Sequence, residues 1–385
     1  MTDWAAVRAL YPALRNWTYL NTATFGQLST RTVDAITGHF AHRDELACSD
    51  FLSWFDDADQ VRAKLARLIN ATPDDIAFTP NASTGLGILM RGIDWREGDE
   101  VLTLENEFPN NIYAPAYLAN RGVHLREVPA ERLLESVTPS TRLVALSAIN
   151  YTTGYRAPLE ALAPALRAKE VLFYVDATQM LGALPFDFAA IQPDMLAVNC
   201  YKWMLAPNGI AFVAVHPELR AKLEPLSIGW RSHHGWRNVD NLHHGVPELT
   251  ETAEKYEGGM LPSSLIYGLE ASVDLMLEIT PAVIATRVLG LAAKTREALR
   301  ALGAEPLPYD DSPIIAARFP NHDASALARA LKQERVLVSA RHGMLRVSTH
   351  FYNNESDIAA LSGTGLLACH PAAGRVTIVP CSPPS

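Results

Sequence analysis

The chain has little cysteine, no surplus of positive charge and no long apolar run. Its four cysteines, Cys48, Cys200, Cys369 and Cys381, stand far apart in 385 residues with no Cys-x-x-Cys spacing. That excludes a disulfide framework and leads us to expect a reducing, cytoplasmic setting. The formal net charge is -9, which argues against the clustered basic surface of a nucleic-acid binder. No stretch reaches the ~18 uninterrupted apolar residues of a membrane helix. The uncharged stretch from Trp203 up to Glu218 is broken by Pro207, Asn208 and Gly209, and reads as a turn plus a strand. Met1-Thr2-Asp3-Trp4 lacks the basic-then-apolar layout of a signal peptide. No internal repeat is visible. With 48% hydrophobic and 19% charged residues, the chain is an ordinary globular one, long enough for two or three domains.

From about residue 57 to residue 215 short β-rich runs alternate with helical patterns. The runs are Ile76–Thr79, Glu100–Leu104, Val123–Val128, Leu143–Ser147, Val171–Val175, Met195–Val198 and Ile210–Val215. Helical stretches at 58–70, 83–91, 110–120 and 159–168 lie between most of them. The alternation predicts crossover units and an α/β fold with a mostly parallel seven-stranded sheet covered on both faces. Ligands of such sheets bind at the carboxyl ends of the strands. From about residue 265 the pattern changes to two helices, 264–278 and 282–302. Strands at 314–319, 336–339 and 345–348 follow, around a helix at 324–334. We expect a large domain over 20–264, and a smaller α+β domain from 1–19 with 265–362. A tail over 363–385 is expected to be poorly ordered.

Two charged residues follow apolar runs in neighbouring strands. Asp176 ends Val171-Leu172-Phe173-Tyr174-Val175-Asp176, and Lys202 stands in Asn199-Cys200-Tyr201-Lys202-Trp203. An isolated surface lysine or a plain helix cap would explain each alone. Together they are what pyridoxal phosphate needs. A lysine in an apolar pocket is a nucleophile that condenses with an aldehyde to a Schiff base. A carboxylate keeps the pyridine nitrogen protonated. Gln179 lies one helical turn after Asp176, within reach of the phenolic oxygen. Thr79-Pro80-Asn81-Ala82-Ser83-Thr84-Gly85, between a strand and a helix, offers free N–H groups and a helix dipole to a phosphate. The pairs His233-His234 and His243-His244 have no acid or cysteine at ligand spacing, so no metal is expected. Trp230 and Trp236 in that segment read as walls of a substrate pocket.

At these motifs the chain resembles the class V aminotransferases, the cysteine-desulfurase-like branch of fold type I pyridoxal phosphate enzymes. The resemblance runs from about Tyr19 to Leu361. It rests on Asp176-x-x-Gln179, the lysine segment, and Arg346-Val347-Ser348 with Phe351-Tyr352-Asn353. It implies that Ala82, Ser83 and Thr84 meet the phosphate, with Asn199 and Tyr201 at further phosphate positions. It places Phe108 on the ring face, where many relatives carry histidine, and Asn150 near the phenolic oxygen. It gives Arg346 the substrate α-carboxylate, a task for a bidentate guanidinium, with Arg341 as a neighbouring candidate. Asn21, Ala23 and Thr24 line the substrate pocket. Glu257-Gly258-Gly259-Met260 matches a loop that reaches the partner's phosphate, with methionine where threonine is common. The resemblance thus implies a homodimer with shared sites.

The cofactor fixes only the first steps on an amino-acid substrate. Desulfurases of this family carry a cysteine on a loop before the Arg-x-Ser segment. Here Val338-Ser339-Ala340-Arg341-His342-Gly343-Met344-Leu345-Arg346 is short and has none. β-Elimination needs no such cysteine. The expectation is a C–S lyase acting on cysteine or a cysteine S-conjugate, with an aminotransferase, an epimerase and an oxidative decarboxylase as alternatives. A cofactor-binding regulator and a nicotinamide oxidoreductase lack, respectively, a DNA-binding module and a glycine fingerprint.

Overall fold

Seven apolar runs become strands: β1 (Ile76–Thr79), β2 (Glu100–Leu104), β3 (His124–Val128), β4 (Thr141–Ser147), β5 (Leu172–Asp176), β6 (Met195–Asn199) and β7 (Ala211–Val215). They are seen in a computed structural model, which describes residues 2–225, 227–320 and 322–365. The strand order is β1-β7-β6-β5-β4-β2-β3. β7 runs antiparallel to both neighbours, and the other pairs are parallel. This is the α/β, mostly parallel seven-stranded sheet that the sequence predicts. Strands β4 to β7 read as continuous apolar runs because both faces are covered. Leu146, Phe173, Val175, Leu196 and Val198 fill one face. Ala145, Tyr174, Met195, Ala197 and Val213 fill the other.

Local sequence explains the helices around the sheet. The helix Ser53–Ile69 buries Val61, Leu65, Leu68 and Ile69 at helical spacing and stops at Asn70, which is left-handed (φ 55°). The helix Ala82–Gly92 follows β1 directly, capped by the Asn81 side chain. This sets its amino terminus at one end of the sheet, beside Asn199.

A four-stranded antiparallel sheet forms the second layer: β8 (Glu305–Pro306), β9 (Ile314–Arg318), β10 (Ser339–Arg341) and β11 (Met344–Ser348), in the order β10-β11-β9-β8. The run expected as one strand over 336–339 changes partner midway. Val336–Leu337 pairs in parallel with Thr18–Tyr19, and the chain then enters β10 against β11. A helix over Thr30–Leu46 has no counterpart in the sequence reading. It packs against Ser263–Ile279, where a side chain at Gly268 would run into Ile36. Among the described residues no single helix is long and apolar enough to cross a membrane. From residue 366 the expected tail, with Cys369 and Cys381, lies outside the described residues.

Candidate active site

β5 and β6 are adjacent and parallel, so their carboxyl ends bring Asp176 and the Lys202 loop together. Lys202 is only 7% exposed. Its Nζ lies 5.2 Å from the Phe108 ring centroid and 5.7 Å from that of Tyr201. Burial pushes its pKa down to about 8; Asp176 pulls the other way, and Arg346 and Arg341 add to the fall. Among the described residues Nζ has no hydrogen-bond partner. Burial raises the pKa of Asp176, whose Oδ1 accepts from Thr178 N at 2.9 Å.

The backbone around Lys202 is clamped from several sides. Gly26 N donates to Tyr201 O at 2.8 Å, and a Cβ at Gly26 would collide with the Lys202 carbonyl. Trp203 Nε1 donates to Gln179 Oε1 at 2.7 Å. The Trp203 carbonyl accepts from His350 Nε2 at 2.7 Å. His350 is fully buried, which pushes its pKa down to about 3, so the ring is neutral. Gln179 also donates from Nε2 to Ala23 O at 3.0 Å. One amide hydrogen of Gln179 is therefore left for a ligand. Asn150 is similarly engaged: Oδ1 accepts from Thr152 N and Thr153 N, and Nδ2 donates to Asn106 O.

At the start of the helix Ala82–Gly92, two of the first three N–H groups are already taken. Ala82 N donates to Asn199 Oδ1 at 3.0 Å, and Thr84 N to Asn81 Oδ1 at 2.8 Å. The Ser83 N–H and hydroxyl and the Asn199 Nδ2 remain as donors. Tyr201 packs against Phe25, with centroids 4.9 Å apart.

Phe108 is 38% exposed and meets Tyr151 edge-on at 5.2 Å. It is held from behind by Glu107, which the sequence reading passes over. Glu107 is buried, and its carboxylate accepts from Ser147 N (2.7 Å), Ser147 Oγ (2.6 Å), Asn111 Nδ2 and Phe108 N. Burial raises its pKa against these bonds.

Arg346, on β11, is 2% exposed. Nε donates to Ser339 Oγ at 3.0 Å, Nη1 to Tyr151 O at 2.6 Å and Nη2 to Thr24 Oγ1 at 2.6 Å. Thr24 in turn donates to Asn21 Oδ1, and Ala23 N donates to Ser348 Oγ. The opening loop is thus pinned to the arginine. Among the described residues no carboxylate lies within 4 Å of Arg346, and burial pushes its pKa down. A buried guanidinium and a buried amine without an acid partner are costly alone. A ligand with an aldehyde, a phosphate and a carboxylate would relieve both.

Trp230, Gly259 and Met260 stand in a second cluster. Trp230 packs edge-on to Phe55 and Trp236. Met260 is exposed, and Gly259 O accepts from Arg231 Nη1. Trp236 is buried in this cluster under the Arg231 guanidinium, so it is interior packing rather than a pocket wall. Among the described residues no group of three or more His, Cys, Asp or Glu side chains is placed to hold a metal. The His233 and His243 rings stack at 4.4 Å.

A family model for aminotransferase class-V matches residues 41–361. The chain belongs to this family. A class-V aminotransferase-like protein is a pyridoxal-phosphate-dependent enzyme, and the residues around Lys202 fit that cofactor. Among its relatives is a probable cysteine desulfurase of Methanothermobacter thermautotrophicus, 27% identical over 93% of this chain and 96% of that one. The isopenicillin N epimerase of Streptomyces clavuligerus is 27% identical over 94% of this chain and 97% of its own. Among solved structures, the cystine C–S lyase C-DES in complex with its reaction product cysteine persulfide superposes with a TM-score of 0.86. It is 25% identical and covers 94% of this chain and 100% of that one. A mutant of C-DES with glycine covalently linked to its PLP cofactor gives the same TM-score.

Proposed function

We propose that this enzyme is a β-eliminating lyase that cleaves the C–S bond of cysteine or a cysteine S-conjugate. The observation that carries the reading is the turn between β10 and β11. Only His342 and Gly343 separate the two strands, so no cysteine-bearing loop stands before Arg346. Cys200 is buried with Sγ 3.7 Å from Val198 O, and burial pushes its thiol pKa up. Cys48 follows the helix Thr30–Leu46. The likeness to a cystine C–S lyase supports the same reading.

Bound pyridoxal phosphate supplies an electron sink beside the substrate Cα. The side chains do the rest. Arg346 grips the α-carboxylate, its fork fixed by Thr24, Tyr151 and Ser339. Asp176 keeps the pyridine nitrogen protonated. The Ser83 N–H and hydroxyl and the Asn199 Nδ2 hold the phosphate at the start of the helix, flanked by Ala82 and Thr84, whose N–H groups are capped, with Tyr201 beside them. Phe108 covers the ring face, and Gln179 and Asn150 offer their free amide hydrogens to its edge. Lys202, made less basic by burial, takes and holds the proton from Cα. A thiolate departs without acid help, because a thiol ionises near pH ~8.5. In this proposal residues 20–264 carry the cofactor, and 1–19 with 265–362 carry Arg346. The exposed Phe40, Phe51, Leu52 and Met260 support a homodimer in which Gly259 and Met260 reach the partner's phosphate. The free Cys48 and Cys200 suit a cytoplasmic enzyme.

Incubation of the holoenzyme with cysteine S-conjugates tests the reading by release of pyruvate and ammonia in equal amounts. Accumulation of pyridoxamine phosphate without pyruvate would replace it with an aminotransferase. Solvent deuterium entering Cα without pyruvate would replace it with an epimerase, a reading that the Streptomyces relative favours.

A further inference from the structure

The hairpin that carries Arg346 carries a second arginine. In the β10–β11 register Ser339 stands opposite Arg346, and Arg341 opposite Met344. Paired residues share a face of the sheet, and so do alternate residues along a strand. Ser339 is on the Arg346 face, as its bond to Nε requires. Arg341 is therefore on that face too, one side-chain step of about 7 Å further along β10. Its recorded side-chain hydrogen bond runs from Nη1 to Ala340 O at 2.7 Å. Among the described residues no carboxylate lies within 4 Å of its guanidinium. Its charge bears on both Lys202 and Arg346. The next residue, His342, is tied through Nε2 to the Tyr151 hydroxyl at 3.3 Å, and Tyr151 O accepts from Arg346. The hairpin tip is thus fixed beside the site.

Three cations, Lys202, Arg341 and Arg346, act on one another here, and among the described residues Asp176 is the carboxylate whose charge offsets them at Lys202. Asp176 is engaged at the pyridine nitrogen, and the phosphate is held at the helix Ala82–Gly92. A substrate α-carboxylate takes Arg346. That leaves Arg341 without an anion, one side-chain step from Arg346 on the same face of the hairpin. We propose that Arg341 is a specificity-determining residue that binds a second carboxylate on the substrate, so that the preferred substrate is an amino acid with an acidic group beyond Cβ. For a lyase this means a cysteine conjugate with a carboxylate on its sulfur substituent. The inference rests on Arg346 holding the α-carboxylate.

The test titrates the holoenzyme with amine-free acids, following the visible absorbance of the lysine-bound cofactor. Glutarate, with two carboxylates, should bind at least about tenfold tighter than butyrate, with one. Arg341→Met should abolish that preference by weakening glutarate far more than butyrate, while Arg341→Lys should keep part of it. In turnover, the KM for S-(2-carboxyethyl)cysteine should rise roughly 10- to 100-fold in Arg341→Met. Its kcat, and the KM for S-ethylcysteine, should move far less, and least in Arg341→Lys, which keeps the charge beside Lys202 and Arg346. Equal Kd values for the two acids in the unaltered enzyme overturn the inference. So does an Arg341→Met variant that weakens butyrate as much as glutarate, since Arg341 would then share the α-carboxylate. Pyruvate from neither conjugate, with the glutarate preference intact, removes the lyase reading and leaves this inference standing.

Discussion

Arg62 and Arg346 are both buried, and they differ in what faces them. Arg62 Nη1 meets Glu257 Oε1 at 2.7 Å and the carbonyl of Ile76. Burial would lower its pKa, but Glu257, with Glu254 and Asp59 behind it, holds it above the usual value. Glu257 also meets Arg231 Nη2 at 3.0 Å and Phe78 N at 2.8 Å. Arg231 lies over the Phe55 and Trp236 rings. This cluster closes on itself, charge against charge. Arg346 and Lys202 have neutral oxygens or aromatic faces around them, and the pKa of each falls. Buried charge without a partner is unstable in the empty protein, and that instability is the mark of a ligand site. The closed cluster is a strut that holds the loop Gly258-Gly259-Met260, and the open one is the site we propose for the chemistry.

If that contrast is right, removing a charge should have opposite consequences in the two places. The largest effect is on turnover. Lys202→Met should cost at least about 10³-fold in kcat and abolish the visible absorbance of the lysine-bound cofactor. The same change should stabilise the cofactor-free protein. Burial lowers the Lys202 pKa from 10.5 to about 8. Between those values the unfolded chain binds one more proton than the folded one, so this group's contribution to stability rises with pH across that window. Below about pH 8 the apo Lys202→Met protein should be more stable than the parent by up to about 3 kcal/mol, a gap that closes by about pH 10.5. Urea denaturation at pH 7 and pH 10.5 measures it. A variant less stable than its parent at pH 7 would place Lys202 in the closed class.

In the strut the sign reverses. Glu257→Gln leaves Arg62 and Arg231 buried without their shared anion, and should destabilise the fold by about 3–5 kcal/mol. Urea denaturation again measures this. A loss below about 1 kcal/mol, the scale of an exposed ion pair, would erase the contrast.

The open cluster was legible in the sequence, and the strut was not. Asp176 ends one strand and Lys202 stands in the loop just after its neighbour, and their spacing survives any error in strand boundaries. Arg346 follows from a local motif. Partners that only the fold brings together stay hidden. Glu107 finds Ser147 40 residues on, and His350 reaches Trp203 across 147. Nothing near either residue signals the match. The helix Thr30–Leu46 escaped for another reason: its only buried residues are Thr32 and His39, so it has no apolar stripe to read. The split of 336–339 between two partners left no trace, because each piece is only two or three residues long. The caps on Ala82 and Thr84 were half visible. Asn81 is a plain helix cap, but Asn199 arrives from β6.

Phe108 sits between the two kinds of region and gives the smallest predicted effect. Its ring faces Lys202 and is partly exposed, while its backbone N–H is tied to buried Glu107. If the ring serves the cofactor, Phe108→Leu removes a stacking surface worth about 0.5–1.5 kcal/mol. The cofactor Kd should then rise about 2- to 12-fold, with the apo Tm unchanged because Glu107 keeps its four donors. The pH profile of kcat should also stay in place, since phenylalanine does not titrate. Phe108→His should introduce a new inflection near pH ~6.5, the ordinary histidine value. Should Phe108→Leu instead lower the apo Tm and leave the cofactor Kd alone, the ring belongs to the core, and the boundary between the two regions moves to the far side of residue 108.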